Sequence, residues 1–225
     1  MKGMTRFSLA ASLLLLFLLP LLFGQLMATS LVKLHLSPAT AVLLTIAIIV
    51  GGLVNLPVKR IERDDVIPVH PLAIFGVYRG PPQFRRVRRE TIVAVNLGGC
   101  IIPTALALYE LVHLAAAGPG TLVATAIAVG INTAVCYFLA RPVPGVGILI
   151  PGLVPPFVAA AAALVLAPAT AAPVAFVAGV AGTLIGADLL HLGAIERSAV
   201  GIASIGGAGT FDGIVLSGIV AAYLA

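Results

Sequence analysis

Ala172-Pro-Val-Ala-Phe-Val-Ala-Gly-Val-Ala-Gly-Thr-Leu-Ile-Gly-Ala-Asp188-Leu-Leu-His191 is a run of apolar and small residues interrupted by one carboxylate. About twenty residues of α-helix cover roughly 30 Å, the thickness of a bilayer's hydrocarbon core. Runs of this kind recur along the chain. Hydrophobic residues make up 60% of its 225 positions, only 9% are charged, and the mean hydropathy is +1.17. Soluble domains are typically about a quarter charged. The composition therefore specifies an all-α polytopic transmembrane bundle, with residues 1–225 forming a single membrane domain. The pI near 9.7 invites a nucleic-acid partner. The location of the charges excludes one, and membrane lipids are the expected surroundings.

Apolar length divides the chain into about seven spans: 7–27, 37–57, 91–111, 121–140, 147–167, 172–191 and 199–224. With the N-terminus cytoplasmic, the inner segments hold Lys2, Arg6, Lys59, Arg60, Arg63, Arg79, Arg85, Arg86, Arg88, Arg89, Arg141 and Arg197. Only Lys33 of the thirteen basic residues falls outside. The positive-inside rule then gives a multi-pass cell-membrane protein with its C-terminus outside. Lys2 and Arg6 before a Leu-rich run also suit a cleaved signal peptide, and cleavage would not change the orientation of the remaining spans. Trp is absent, so basic residues carry most of the interfacial anchoring.

The sizeable polar stretch is 58–90, a cytoplasmic loop with eight basic and four acidic residues. Pro68, Pro71, Pro81 and Pro82 break it into extended pieces, and its apolar 72–78 segment suits the interface. It reads as a topology anchor, with anionic headgroups as an alternative partner. Cys100 and Cys136 lie in spans outside any CxxC pair, as small core residues. His35, His70, His113 and His191 share no metal-binding spacing, so no metal and no cofactor is expected. Asn55, Asn96 and Asn132 suit helix–helix hydrogen bonds. Glu110 and Glu196 fall at span ends, where water reaches them.

Two carboxylates sit where lipid should be: Asp188, and Asp212 in Ser204-Ile-Gly-Gly-Ala-Gly-Thr-Phe-Asp-Gly213. An ionisable residue at membrane depth is costly and is a functional-site hypothesis by default. Arg141-Pro-Val-Pro-Gly-Val-Gly-Ile-Leu-Ile-Pro-Gly-Leu-Val-Pro-Pro156 adds five prolines to an apolar stretch, as a broken or re-entrant element or a kinked helix. The two aspartate strings resemble a prokaryotic integral-membrane family, domain-of-unknown-function family 1614, over roughly the last forty residues. A looser resemblance is to the presenilin type of intramembrane aspartyl protease. Such enzymes carry two aspartates on consecutive helices of opposite direction, as Asp188 and Asp212 are arranged in the expected topology. The Gly-x-Gly-Asp signature and the later Pro-Ala-Leu element of those enzymes are missing.

That resemblance implies Asp188 and Asp212 as catalytic residues and a transmembrane peptide as substrate. Two carboxylates within a few ångströms share one proton, so that one activates water and the other polarises the scissile carbonyl. Gly186, Ser204, Gly206, Gly207, Gly209, Thr210 and Gly213 are the expected substrate- or ion-contacting residues. The glycines would give a substrate backbone close approach. Depth is the obstacle. In continuous helices Asp188 lies roughly 5 Å, and Asp212 roughly 20 Å, from the inner end. An irregular 199–209 segment removes it, with Thr210 as N-cap and Asp212 in the first turn. Apart, the two aspartates suit a proton- or cation-coupled transporter. A third alternative is structural: pairing with Arg197, His191 or helix ends, and a Gly182-Thr-Leu-Ile-Gly186 packing face. Nothing in the sequence fixes an oligomeric state.

Overall fold

The computed structural model describes residues 18, 21–68, 84–143, 147–194 and 201–225. The start of the expected first span, the 72–78 segment, His70, Glu196 and Arg197 lie outside the described residues. The helices are α1 (Leu21–Val32), α2 (Pro38–Gly51), α3 (Ile102–Ala116), α4 (Pro119–Leu139), α5 (Val154–Leu166), α6 (Ala171–Thr183) and α7 (Gly213–Leu224). A π-helical turn, Leu97–Ile101, opens α3. A 3₁₀ turn, Pro168–Thr170, opens α6, and a π-helical segment, Leu184–Leu189, prolongs it. Three of these units are long and apolar enough to cross a membrane: Leu97–Ala116, Pro119–Leu139 and Pro168–Leu189. The chain is a membrane protein. The other helices are apolar but shorter.

Helix α6 is the axis of the bundle and packs on α3, α4, α5 and α7. Nearly all of its residues are buried, which matches a helix apolar on every side. Glycines set its closest approaches. A Cβ at Gly182 would overlap the Asn132 side chain of α4, and one at Gly179 would overlap the Ser217 carbonyl of α7. Asn132 is fully buried and donates from Nδ2 to the Ala178 carbonyl at 2.9 Å, the interhelical bond expected of it. Leu43, Ile46 and Val50 of α2 and Val123, Ile127 and Phe138 of α4 face outward, as lipid contact permits.

The chain is not all-α. Strands β1 (Asn55–Pro68) and β2 (Phe84–Asn96) form a long antiparallel pair, so the described parts of the expected 58–90 loop are strand. A second hairpin, β3 (Arg141–Val143) with β4 (Gly147–Leu149), is the broken element expected in the proline-rich stretch. Strand β5 (Gly201–Ile205) joins β2 in parallel, giving the order β1-β2-β5.

These strands correct four spans. The 37–57 span is helical only to Gly51, and its last three residues open β1. The 91–111 span starts as helix only at Leu97, because Thr91-Ile-Val-Ala-Val95 is a β-branched run that pairs with both neighbours. The 147–167 span is helical only from Val154, with Pro155 and Pro156 in the first turn, where their missing N–H groups are orphans in any case. The 199–224 span is a strand, a turn and a helix that starts at Gly213.

Candidate functional site

The ends of α2, β2 and β5 and the starts of α3 and α7 meet around Asn96. Its side chain donates from Nδ2 to the Gly52 carbonyl at 2.8 Å and to Asn55 Oδ1 at 3.0 Å. Its Oδ1 accepts the Gly99 amide at 2.7 Å and so caps the π-helical turn. Backbones then pack directly on one another. A Cβ at Gly98 would overlap the Ile48 carbonyl of α2, and one at Gly99 would overlap the Gly206 carbonyl. Gly206 and Gly209 hold φ of 73° and 60°, a conformation that side chains strain against. The turn after β5 is therefore seated against the start of α3.

Asp188 lies in the π-helical segment that ends α6. Each wide turn accommodates an extra residue and re-aims the side chains after it by roughly 100° relative to unbroken α-helix. Gly186, two residues earlier, is pressed against the Thr133 carbonyl and Cys136 Cβ of α4. Gly182 and Gly186 thus form the small-xxx-small packing face. His191 donates from Nδ1 to the Gly186 carbonyl at 3.1 Å, and its ring lies against Tyr137 at 4.9 Å. Among the described residues, none donates a hydrogen bond to the Asp188 carboxylate.

Asp212 is itself the N-cap of α7. Its Oδ1 accepts the Ile214 amide at 3.0 Å and its Oδ2 the Ala208 amide at 3.4 Å. The expected cap, Thr210, instead sits in a 3₁₀ turn, Gly209–Phe211. The reason is the extended backbone at Asp212, which ends that turn and starts the next helix. Gly213 packs in ordinary contact with Ile150 and with Thr183 at the end of α6.

Several expected contact residues do other work. The Ser204 hydroxyl donates to Asn55 Oδ1 at 2.5 Å and so ties β5 to the end of β1. Gly206 and Gly209 are filled by the backbones of Gly99 and Gly52, and Gly207 is closed by Ser204. Their small size permits this packing.

Asp188 and Asp212 come within electrostatic reach of each other, with Cys100 within reach of both and Cys136 within reach of Asp188. A cavity of about 370 Å³ is lined by α3, by Leu184 and Leu189 on either side of Asp188, and by Val95 and Ile205 of the sheet; neither aspartate lines it. Its lining is apolar apart from Cys100 and Thr104. The Thr104 hydroxyl is buried and makes no hydrogen bond of ordinary geometry. Cys100 and Thr104 carried no site signal in the sequence beyond the Gly98-Gly99 pair beside them. Among the described residues, no cluster of three His, Cys, Asp or Glu residues suits a metal ion.

No curated protein and no solved structure matches the chain. A family described as "Protein of unknown function (DUF1614)" matches residues 49–224, a stretch that includes the β1–β2 pair, both π-helical segments and both aspartates. The chain belongs to this family of proteins of unknown function.

Proposed function

We propose that the protein is an intramembrane aspartyl hydrolase in which Asp188 and Asp212 act as a pair on a transmembrane peptide. The observation that carries this reading is that the two carboxylates, held on different elements, lie within electrostatic reach of each other. Asp212, with both oxygens accepting amide protons at a helix start, is suited to hold the anion and take a proton from the attacking water. Asp188, with no such donors among the described residues, is suited to carry the shared proton and give it to the carbonyl oxygen. Collapse of the gem-diol intermediate then breaks the C–N bond: one hydroxyl returns its proton to Asp188, and the amine leaves with the proton that Asp212 took. Strand β5, at the edge of the sheet and leading into the Asp212 turn, offers an extended peptide a backbone to pair with.

The proposed topology has seven spans with the N-terminus inside. Lys59, Arg60 and Arg141 lie on strands near the ends of α2 and α4, on the cytoplasmic side with the aspartates. Lys33 lies on the other side. A mimic of the tetrahedral intermediate, a hydroxyl-bearing peptide isostere with a photoreactive group, tests the reading. Such mimics bind far more tightly than substrates because they match the transition state. The isostere should label the wild type and neither Asp188→Asn nor Asp212→Asn. Equal labelling of all three would reject it.

A second reading is a proton- or cation-coupled transporter. It is favoured by one feature: Asp212 starts a helix straight after non-helical backbone, as in the broken-helix ion sites of transporters. Reconstituted protein would then drive flux under a pH gradient and leave the labelling unaffected by Asp188→Asn.

A further inference from the structure

The far end of α3 carries a second cluster, about 15 Å along the helix from Cys100. Glu110 is 0% exposed, although its place near a span end suggested solvation. Its Oε2 takes a 2.9 Å bond from His35 Nδ1, in the segment between α1 and α2, and its Oε1 is buried with no partner. The His35 side chain is 49% exposed. The His35 ring stacks on His113 at 4.9 Å with the planes 10° apart, and the Tyr109 hydroxyl donates to the His35 carbonyl at 3.1 Å. One residue, His35, thus ties the α1–α2 connection to α3 through three separate contacts.

We propose that His35, Glu110 and His113 form an acid-opened latch that releases the α1–α2 connection from α3. A buried carboxylate persists when it is paired, so the closed state holds one proton between Glu110 and His35. His113 donates from Nδ1 to the Tyr109 carbonyl at 3.0 Å. Acidification adds a proton to that ring and places two imidazolium ions face to face, with a single carboxylate to balance them. Like charges at this spacing repel, and the more exposed partner, His35, moves away.

The other charged or titratable groups facing the cluster do not reverse this sign. Lys33 adds another cation on the same connection; its ammonium donates to the Tyr223 carbonyl of α7 at 2.6 Å and lies over the Tyr223 ring. Tyr109 brings a phenol, which carries no positive charge. Helix α2 and the first half of α4 bring no titratable side chain. The latch is therefore closed at neutral pH and opens as the pH falls through the range in which histidines gain charge.

The full chain contains no Trp, so Leu36→Trp supplies a single fluorophore beside His35. Iodide quenching of that Trp, in protein held in lipid nanodiscs, would be followed from about pH 8 to about pH 5. Quenching should rise several-fold on acidification. Adding His113→Phe keeps a ring in the stack without its charge and should abolish the rise. Glu110→Gln should be as accessible at the upper pH as the parent is in acid. Because His113 is partly exposed, its substitution leaves the core intact, and circular dichroism would verify this. Quenching that does not change with pH, or a rise that survives in His113→Phe, would overturn the latch.

Discussion

Gly99, in the π-helical turn that opens α3, lies so close to the Gly206 carbonyl that neither residue has room for a side chain. This contact joins the turn after β5 to α3 and so positions Asp212 against the bundle. Gly206→Ala should cost about 1–3 kcal/mol from overlap with fixed backbone, with a further roughly 1 kcal/mol for a side chain at positive φ. Gly213→Ala meets only ordinary contacts and should melt close to wild type. Gly201→Ala isolates the conformational cost, since its φ is 86° in open space. Thermal melts in one detergent would check the order Gly213, Gly201, Gly206.

The Asp212 cap separates stability from chemistry. Asn caps a helix about as well as Asp, whereas Ala loses the bond to the Ile214 amide. Asp212→Asn should therefore retain the wild-type melting temperature, and Asp212→Ala should lose about 1 kcal/mol. A large destabilisation by Asn would mean that the charge of Asp212 is structural.

Asn96 holds the β2–α3 junction with its whole amide group. Asn96→Ala would leave the buried Gly99 amide and the Gly52 carbonyl without their partner, at about 1–3 kcal/mol for each buried group left unsatisfied. Asn96→Asp keeps the acceptor for Gly99 and loses both donors. Its stability should fall between wild type and the alanine variant in denaturation by detergent.

Much of the helical core was legible in the sequence. The expected 121–140 and 172–191 spans match Pro119–Leu139 and Pro168–Leu189 to within a few residues, because both are bounded by proline or turn residues and are apolar throughout. The β-sheet was hidden because Thr91–Val95 satisfies a membrane-span criterion as well as a strand criterion. Strand β5 has no local signal, and its partners in β2 lie 110 residues earlier in the chain, as in Thr91 opposite Gly201. Glu110 was misjudged because its partner, His35, is 75 residues away. The two aspartates stood out by their cost in an apolar setting, but the packing uses of Gly186, Gly206 and Gly209 depend on neighbours that the sequence does not name.

The cavity beside Asp188 offers a test of substrate access that leaves the carboxylates untouched. Ala105 lines it from an exposed position on α3, so Ala105→Phe should fill it without disturbing the core. Cleavage of a membrane peptide should fall by about tenfold or more, equivalent to ~1.4 kcal/mol, at an unchanged melting temperature. Full activity would mean that the substrate approaches by another route.

The central claim is that Asp188 and Asp212 act as one catalytic unit. Wild type, Asp188→Asn, Asp212→Asn and the double variant would be reconstituted in liposomes with a labelled transmembrane peptide, and the cleavage rate measured for each. Either single change should lower the rate by about a thousandfold, ~4 kcal/mol, and the double variant should add almost nothing, because members of a unit are not additive. Cleavage retained in a folded single variant, or losses that multiply in the double, would contradict the account.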